Sequence, residues 1–368
     1  MFSEETLYSI ALRQCPLIGD TIFRRLVAEA GSAKEVWELS KSGLSNVYRV
    51  GKRISQEIGK PEHLVFAEKE VAFCEKNKIR ILLRHQGELP PQLNECEDAP
   101  AILYQKGEWN SALQTLSIVG TRNITSYGKS FINDFLNEIK DHRVITVSGL
   151  ALGVDTEVHE VSLNNGLPTI AVLAHGFHTL YPSKNRRLAE KILDNGGALF
   201  TEFNSSQKPD RENFIQRNRI IAGLSAATIV VETAFGGGSV STATFANNYN
   251  REVFALPGRI TDKFSQGCNQ LIVQNKAAAI STVTLLADQL GFSKSATVGV
   301  LFPSSEVQIM LPENQQQLLA VLDRQAALSL DEICLKLDLP TYRVLPDLLQ
   351  LELLGYVKAL SGRQYLAL

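Results

Sequence analysis

Cationic side chains beside glycine-rich turns recur at four places in this chain. Together they have the chemistry of a phosphate-binding surface. The richest is FIQRNRIIAGLSAATIVVETAFGGGS, residues 214–239. It sets Arg217, Asn218 and Arg219 in an otherwise apolar helical stretch and follows them with an all-apolar strand pattern. It closes on Gly236, Gly237, Gly238 and Ser239 at the start of another helix, with Ser241 and Thr242 as further donors. Ser239 is expected to be the N-cap of that helix. Neighbouring helical residues diverge by about 100°, so the three polar residues cannot share one direction. One arginine can face a ligand while the other pairs with an acid such as Glu232, and spacing leaves open which does which.

The other three segments are shorter. In SIVGTR, Gly120 lets a ligand approach the backbone and Arg122 offers a fixed, bidentate phosphate donor. The segment is not GxGxxG, so nothing here calls for a dinucleotide. The turn at Ser148 and Gly149 can present backbone N–H groups to an anion. Asp155, just beyond it, reads equally well as an acid favoured in the first turn of a helix, and His159 reads as structural. In YPSKNRR, Lys184, Asn185, Arg186 and Arg187 fall at a helix start, where cations oppose the helix dipole. A bound anion explains that choice, with Tyr181 or Phe177 as a stacking face for a base. Residues 184–219 hold eight Lys/Arg and five Asp/Glu, a local net of +3.

These segments need strands to hold them at one edge. From about 78 to 290, short apolar runs alternate with amphipathic helices; the runs are 79–84, 101–107, 115–120, 143–149, 168–174, 198–203, 227–233, 252–258 and 277–283. Runs without polar alternation fit strands buried on both faces, and strands alternating with helices predict an α/β, Rossmann-like, mostly parallel sheet. Ligands of such sheets bind beyond the carboxyl ends of the strands, where most of these runs end in Gly, Pro or Thr. Residues 1–75 read as an N-terminal helical domain; two Gly-then-amphipathic units within it resemble helix-hairpin-helix modules, and a small packing domain is the simpler reading. The Rossmann-like domain is placed at 78–290 and a linker at 291–312. At 313–368, three helices and a hairpin predict a winged-helix-like domain. Its five Lys/Arg against seven Asp/Glu argue against a duplex-gripping module.

The whole chain, 368 residues with a formal net charge of −2, does not capture nucleic acid by bulk charge, so any anion site must be local. Five scattered cysteines without a CxxC pair read as reduced cytosolic thiols, and six histidines show no metal-ligand spacing. With no secretory leader or membrane-length apolar run, a cytoplasmic protein without metal or cofactor is expected.

With these loops in order, the chain resembles the DNA-processing protein A family (DprA/Smf). The resemblance covers roughly 80–285 and rests on SIVGTR, VSGLALGVDTEVHE, YPSKNRRL, FIQRNRIIAGLS, GGGSVSTA and EVFALPG followed by GCNQLI. It implies a Rossmann-like core that binds single-stranded DNA, forms a homodimer and helps load RecA recombinase in natural transformation, with no catalytic reaction. Carried over, the DNA-binding residues are Gly120, Arg122, Ser148, Gly149, Lys184, Asn185, Arg217, Asn218, Arg219, Ser239 and Thr242. Ser241, Thr244 and Asn247–Asn248 depart from the family pattern and bear on packing more than on the pocket. The rival reading is a phosphoribohydrolase of the lysine-decarboxylase-like type. Its Gly-Gly-x-Gly-Thr-x-x-Glu loop lacks a counterpart here, since no glutamate follows Gly238 up to Asn250. A cytosolic nucleotide sensor is the third reading.

Overall fold

The computed structural model describes residues 2–292, apart from 41–42, 45–46 and 48–49, and residues 312–367, apart from 323–327, 354–355 and 361–363. The chain divides into two compact units, Met1–Ser293 and Lys294–Leu368.

In the first unit all nine apolar runs form strands: β1 (Ile79–Leu83), β2 (Ile102–Gly107), β3 (Gln114–Val119), β4 (Val144–Ser148), β5 (Thr169–Val172), β6 (Ala198–Thr201), β7 (Ala227–Val230), β8 (Glu252–Ala255) and β9 (Ala278–Ala279). They make one sheet in the order β1-β2-β6-β5-β4-β3-β7-β8-β9. Pairings from β6 through β9 are parallel, and β1 and β2 join as an antiparallel extension. The order reverses at β3, which lies between β4 and β7. The helices Ser126–Ile139 and Val154–Asn164 cover one face, packing Phe135, Ile139 and Val158 against Leu116, Ile118 and Ile229. The helices Arg211–Gly223 and Gly238–Asn248 cover the other, packing Ile220, Ile221, Ala243 and Ala246 against Val119, Val147 and Val230. The strands are short, β-branched and dry on both sides, as a doubly wound sheet demands.

The N-terminal helices include Glu4–Gln14, Asp20–Ala30 and Pro61–Lys76. They share a core with the antiparallel extension: Leu12, Phe23, Leu26 and Cys74 pack with Ile81, Leu83, Ile102 and Tyr104. Of the second helix-hairpin-helix-like stretch, residues 43–59, the helix Lys52–Glu57 is described; 45–46 and 48–49 fall outside the described residues.

The second unit contains the helices Glu313–Val321, Leu330–Leu337 and Thr341–Leu353. Strands β11 (Val357–Leu360) and β12 (Gln364–Ala367) form the expected hairpin, and β10 (Leu328–Ser329) adds a third strand beside β12 that the sequence reading did not contain. Ser329 and Glu332 form a capping box on the second helix. The predicted linker and the Ser361–Gly362 turn lie outside the described residues, except at the linker's ends.

Candidate functional site: a cleft at the strand-order reversal

A cleft of about 720 Å³ opens where the loops after β3 and β7 diverge. This is the crevice that a reversal of strand order creates in an open α/β sheet. Six of the eleven predicted site residues line it: Gly120, Arg122, Arg217, Asn218, Ser239 and Thr242.

The β3 loop forms one wall. Gly120 is required by packing, because a Cβ there would sit 2.5 Å from Val154 Cγ2. Arg122 is exposed, and its guanidinium lies 5.0 Å from the centre of the Phe214 ring. No carboxylate among the described residues pairs with it. Phe214 in turn meets Tyr181 edge-on, with ring centroids 5.9 Å apart. Phe177 packs instead between two buried clusters and is not part of the lining.

Arg217 forms the back of the cleft and is only 3% exposed. It donates to the carbonyls of Gly149 (2.6 Å) and Val172, tying the ends of β4 and β5 together. Gly149 is a glycine for this reason: a Cβ would overlap the guanidinium. The Arg217 Nε is buried without a partner. Burial lowers its pKa to about 10, partly offset by Asp155, so it stays charged. Asp155 also lines the cleft and accepts the Ala151 N–H at 3.2 Å. Burial raises its pKa, while Arg217 and backbone donors pull the other way. His159 is fully buried against Thr169 Oγ1 at 2.7 Å, and burial drives its pKa down to about 3, so it is neutral at pH 7.

The glycine loop differs from expectation. The helix starts one residue earlier than its presumed Ser239 cap: Gly237 is the N-cap and makes no side-chain cap bond. Ser239 therefore lies inside the first turn, where its hydroxyl cannot reach back to cap. Its Oγ is buried in the cleft lining with no partner. Asn218 holds this loop, donating to Gly238 O (3.2 Å) and Ser241 Oγ (2.9 Å). The unexpected Ser241 thus has a packing role.

The remaining predicted residues are elsewhere. Ser148 is buried and donates to Ile118 O at 2.7 Å. Asn185 is buried and donates to Leu150 O (2.9 Å) and Thr156 Oγ1 (2.8 Å). Lys184 is exposed in a separate groove. Arg219 points away from the cleft and binds Glu202, Asp98 O and Asp20 of the second helix. Its acid is therefore Glu202; Glu232 is occupied by the backbone N–H and hydroxyl of Thr125. Phe214 and Asp155 complete the cleft. Phe214 carried no signal in its own spacing, because its partner Arg122 is 92 residues away in the chain.

Known proteins match the chain over most of its length. A family model for DNA recombination-mediator protein A matches residues 80–291, and one for the DprA winged helix domain matches residues 303–363. The chain is 30% identical to Protein Smf of Synechocystis over 401 residues, covering 99% of both chains. It is 35% identical to Protein Smf of Escherichia coli over 278 residues, 74% of this chain and 73% of the relative. The solved structure of DNA processing protein A from Streptococcus pneumoniae superposes with a TM-score of 0.62 at 29% identity, covering 78% of this chain and 98% of that one. A Helicobacter pylori structure, described as revealing the single-stranded DNA binding mode of DNA processing protein A, superposes with a TM-score of 0.52 at 27% identity, covering 58% and 95%. With a Rossmann-like sheet, a cleft at its switch point and a C-terminal winged-helix domain, the chain belongs to the DNA recombination-mediator protein A (DprA/Smf) family.

Proposed function

We propose that this protein binds single-stranded DNA in the cleft and acts as a non-enzymatic recombination mediator. The observation that carries the reading is the pairing of an exposed, carboxylate-free Arg122 on the Phe214 ring with an unpartnered, buried Ser239 hydroxyl at a helix N-terminus. A phosphate satisfies the arginine, the hydroxyl and the first N–H groups of the helix together. Phe214 and Tyr181 offer faces to a base without reading its edges, so binding is sequence-tolerant. On this reading Arg122, Ser239 and Thr242 touch DNA, while Ser148, Gly149, Asn185, Arg217 and Asn218 position the loops and Arg219 anchors the helix. The homologous Helicobacter structure, described by its DNA binding mode, supports the ligand. The family description supports mediation. Loading of RecA and homodimerisation extend that reading.

A titration of single- against double-stranded DNA at two salt concentrations tests it. Tighter, salt-sensitive binding of the single strand is expected; equal affinity for both forms defeats the proposal. Sedimentation at micromolar concentration tests the dimer, and a monomer that still binds long strands cooperatively counts against it. Asp155, a carboxylate in the cleft, favours a second reading as a nucleotide-processing enzyme. Release of free base from nucleoside monophosphates, abolished by Asp155→Asn, would establish it.

A further inference from the structure

The helix Pro61–Lys76 buries His63, Ala67, Glu70 and Cys74. Glu70 stands in that stripe between Ala67 and Cys74, where an apolar side chain would pack. It is 3% exposed, and among the described residues no cation forms an ion pair with it. A buried carboxylate is less favourable than an apolar residue at the same position unless its oxygens are bonded. Both oxygens are bonded, and by one residue. Oε1 accepts the Ser205 N–H at 2.7 Å, and Oε2 accepts the Ser205 hydroxyl at 2.6 Å. Beside Glu70 on the helix surface, the Phe73 ring lies 4.4 Å from the His178 ring, centre to centre. A single N-terminal helix thus grips two loops of the sheet, the one after β6 and the one after β5.

Those two loops carry the aromatic pair of the cleft. Tyr181 lies in the loop after β5, and Phe214 lies in the helix that the loop after β6 leads into. The loops are also tied to each other. Ser205 O accepts the His178 N–H at 3.0 Å, and Gln207 O accepts the Gly176 N–H at 2.9 Å. Gly176 is a glycine for this approach, since a Cβ there would overlap Asn204 O and Ser205 O. The ties continue toward both rings. The Tyr181 N–H donates to His175 Nε2 at 3.1 Å, and His175 O accepts the Thr201 hydroxyl at the end of β6 at 2.9 Å. Asp210 caps the helix that carries Phe214, accepting the Glu212 N–H at 3.0 Å. Ser205 is therefore where the N-terminal helix meets both loops: its N–H and hydroxyl go to Glu70 and its carbonyl to His178. Arg122 arrives on a different loop, the one after β3.

We propose that Glu70 is a positioning residue for the cleft: through Ser205, and with Phe73 as a second grip, it sets the Phe214 and Tyr181 rings for base stacking. The phosphate contact of Arg122 is left to its separate loop. The proposal rests on the single-strand reading of the cleft, and the following experiment separates the two. Full-length native protein, Glu70→Ala and Glu70→Gln are titrated with an oligothymidylate of about twelve nucleotides and with an abasic strand of equal length, at several salt concentrations. The native chain binds the thymidylate about tenfold or more tighter than the abasic strand. Glu70→Ala cuts that ratio to about twofold or less and leaves the salt slope unchanged. Glu70→Gln, whose amide accepts the Ser205 N–H and donates to its hydroxyl oxygen, keeps the ratio within about twofold of native. If Glu70→Ala does not fold, Phe73→Ala, at a half-buried ring, shows the same lowered ratio at unchanged slope. A residue that only stabilises the fold changes the folded fraction and moves no ratio. A native ratio retained by the alanine variants overturns the proposal and leaves the cleft reading intact. Equal loss of affinity for the two strands overturns it as well. A native chain that does not prefer the thymidylate defeats the stacking reading of the cleft, and the proposal with it.

Discussion

Arg122 and Arg217, which both line the cleft, illustrate how residue type and residue role separate. Arg122 is exposed and stacked on an aromatic ring; Arg217 is buried and bonded to two carbonyls. Arg217→Ala leaves those carbonyls without a donor and is expected to destabilise the fold by about 3 kcal/mol, read in a urea titration. Arg122→Ala should leave the same titration unchanged within about 0.5 kcal/mol. Gly153 has φ +83°, and a Cβ there would overlap the carbonyls of Thr121 and Arg122. Gly153→Ala should therefore cost about 1–3 kcal/mol and also weaken DNA binding by shifting the Arg122 loop; full stability and affinity would show that the loop does not depend on this contact. The cations and glycines of the cleft were legible as residue types. Their directions were not: helical spacing showed that Arg217 and Arg219 diverge, but only the packed fold sends Arg219 to Glu202 and turns the Ser239 hydroxyl into the cleft.

At the scale of elements, the nine strands were legible because parallel strands buried on both faces must be apolar throughout. The two-residue β10 was not, because so short a pairing leaves no periodicity. The helix Arg211–Gly223 holds the cleft on one side and the Arg219–Glu202–Asp20 cluster on the other. Burial pushes the Glu202 carboxyl up to about 7 from an ordinary 4.5, despite the opposing pull of Arg219. The folded state therefore holds a proton that the unfolded state gives up, and Glu202 contributes stability below about pH 4.5 that is lost as pH rises through about 7. His159, with its pKa depressed from 6.5 to about 3, has the opposite sign: its contribution is lost as pH falls below 6.5. Unfolding measured at about pH 5 and about pH 8, for the native chain and Glu202→Gln, separates them. The variant should lack the part of the decline toward higher pH that Glu202 causes. A stability difference between the two proteins that is the same at both pH values contradicts the assignment.

Over the whole molecule, charge is unevenly distributed. The second unit carries the net −2 counted over 313–368, and its third helix exposes Tyr342 and Leu349. A duplex-binding surface would be basic there. Arg343→Ala/Lys358→Ala should leave single- and double-stranded DNA affinities unchanged; a loss of duplex binding would assign DNA recognition to this unit. The cationic excess is local: +3 over residues 184–219 of the first unit. The central claim is that Arg122 meets a backbone phosphate. It is tested most directly by the salt dependence of single-strand binding for the native chain and Arg122→Ala, both confirmed folded. The account predicts at least tenfold weaker binding at low salt and a slope of log affinity against log salt reduced by about 0.7. Native affinity with an unchanged slope would contradict it.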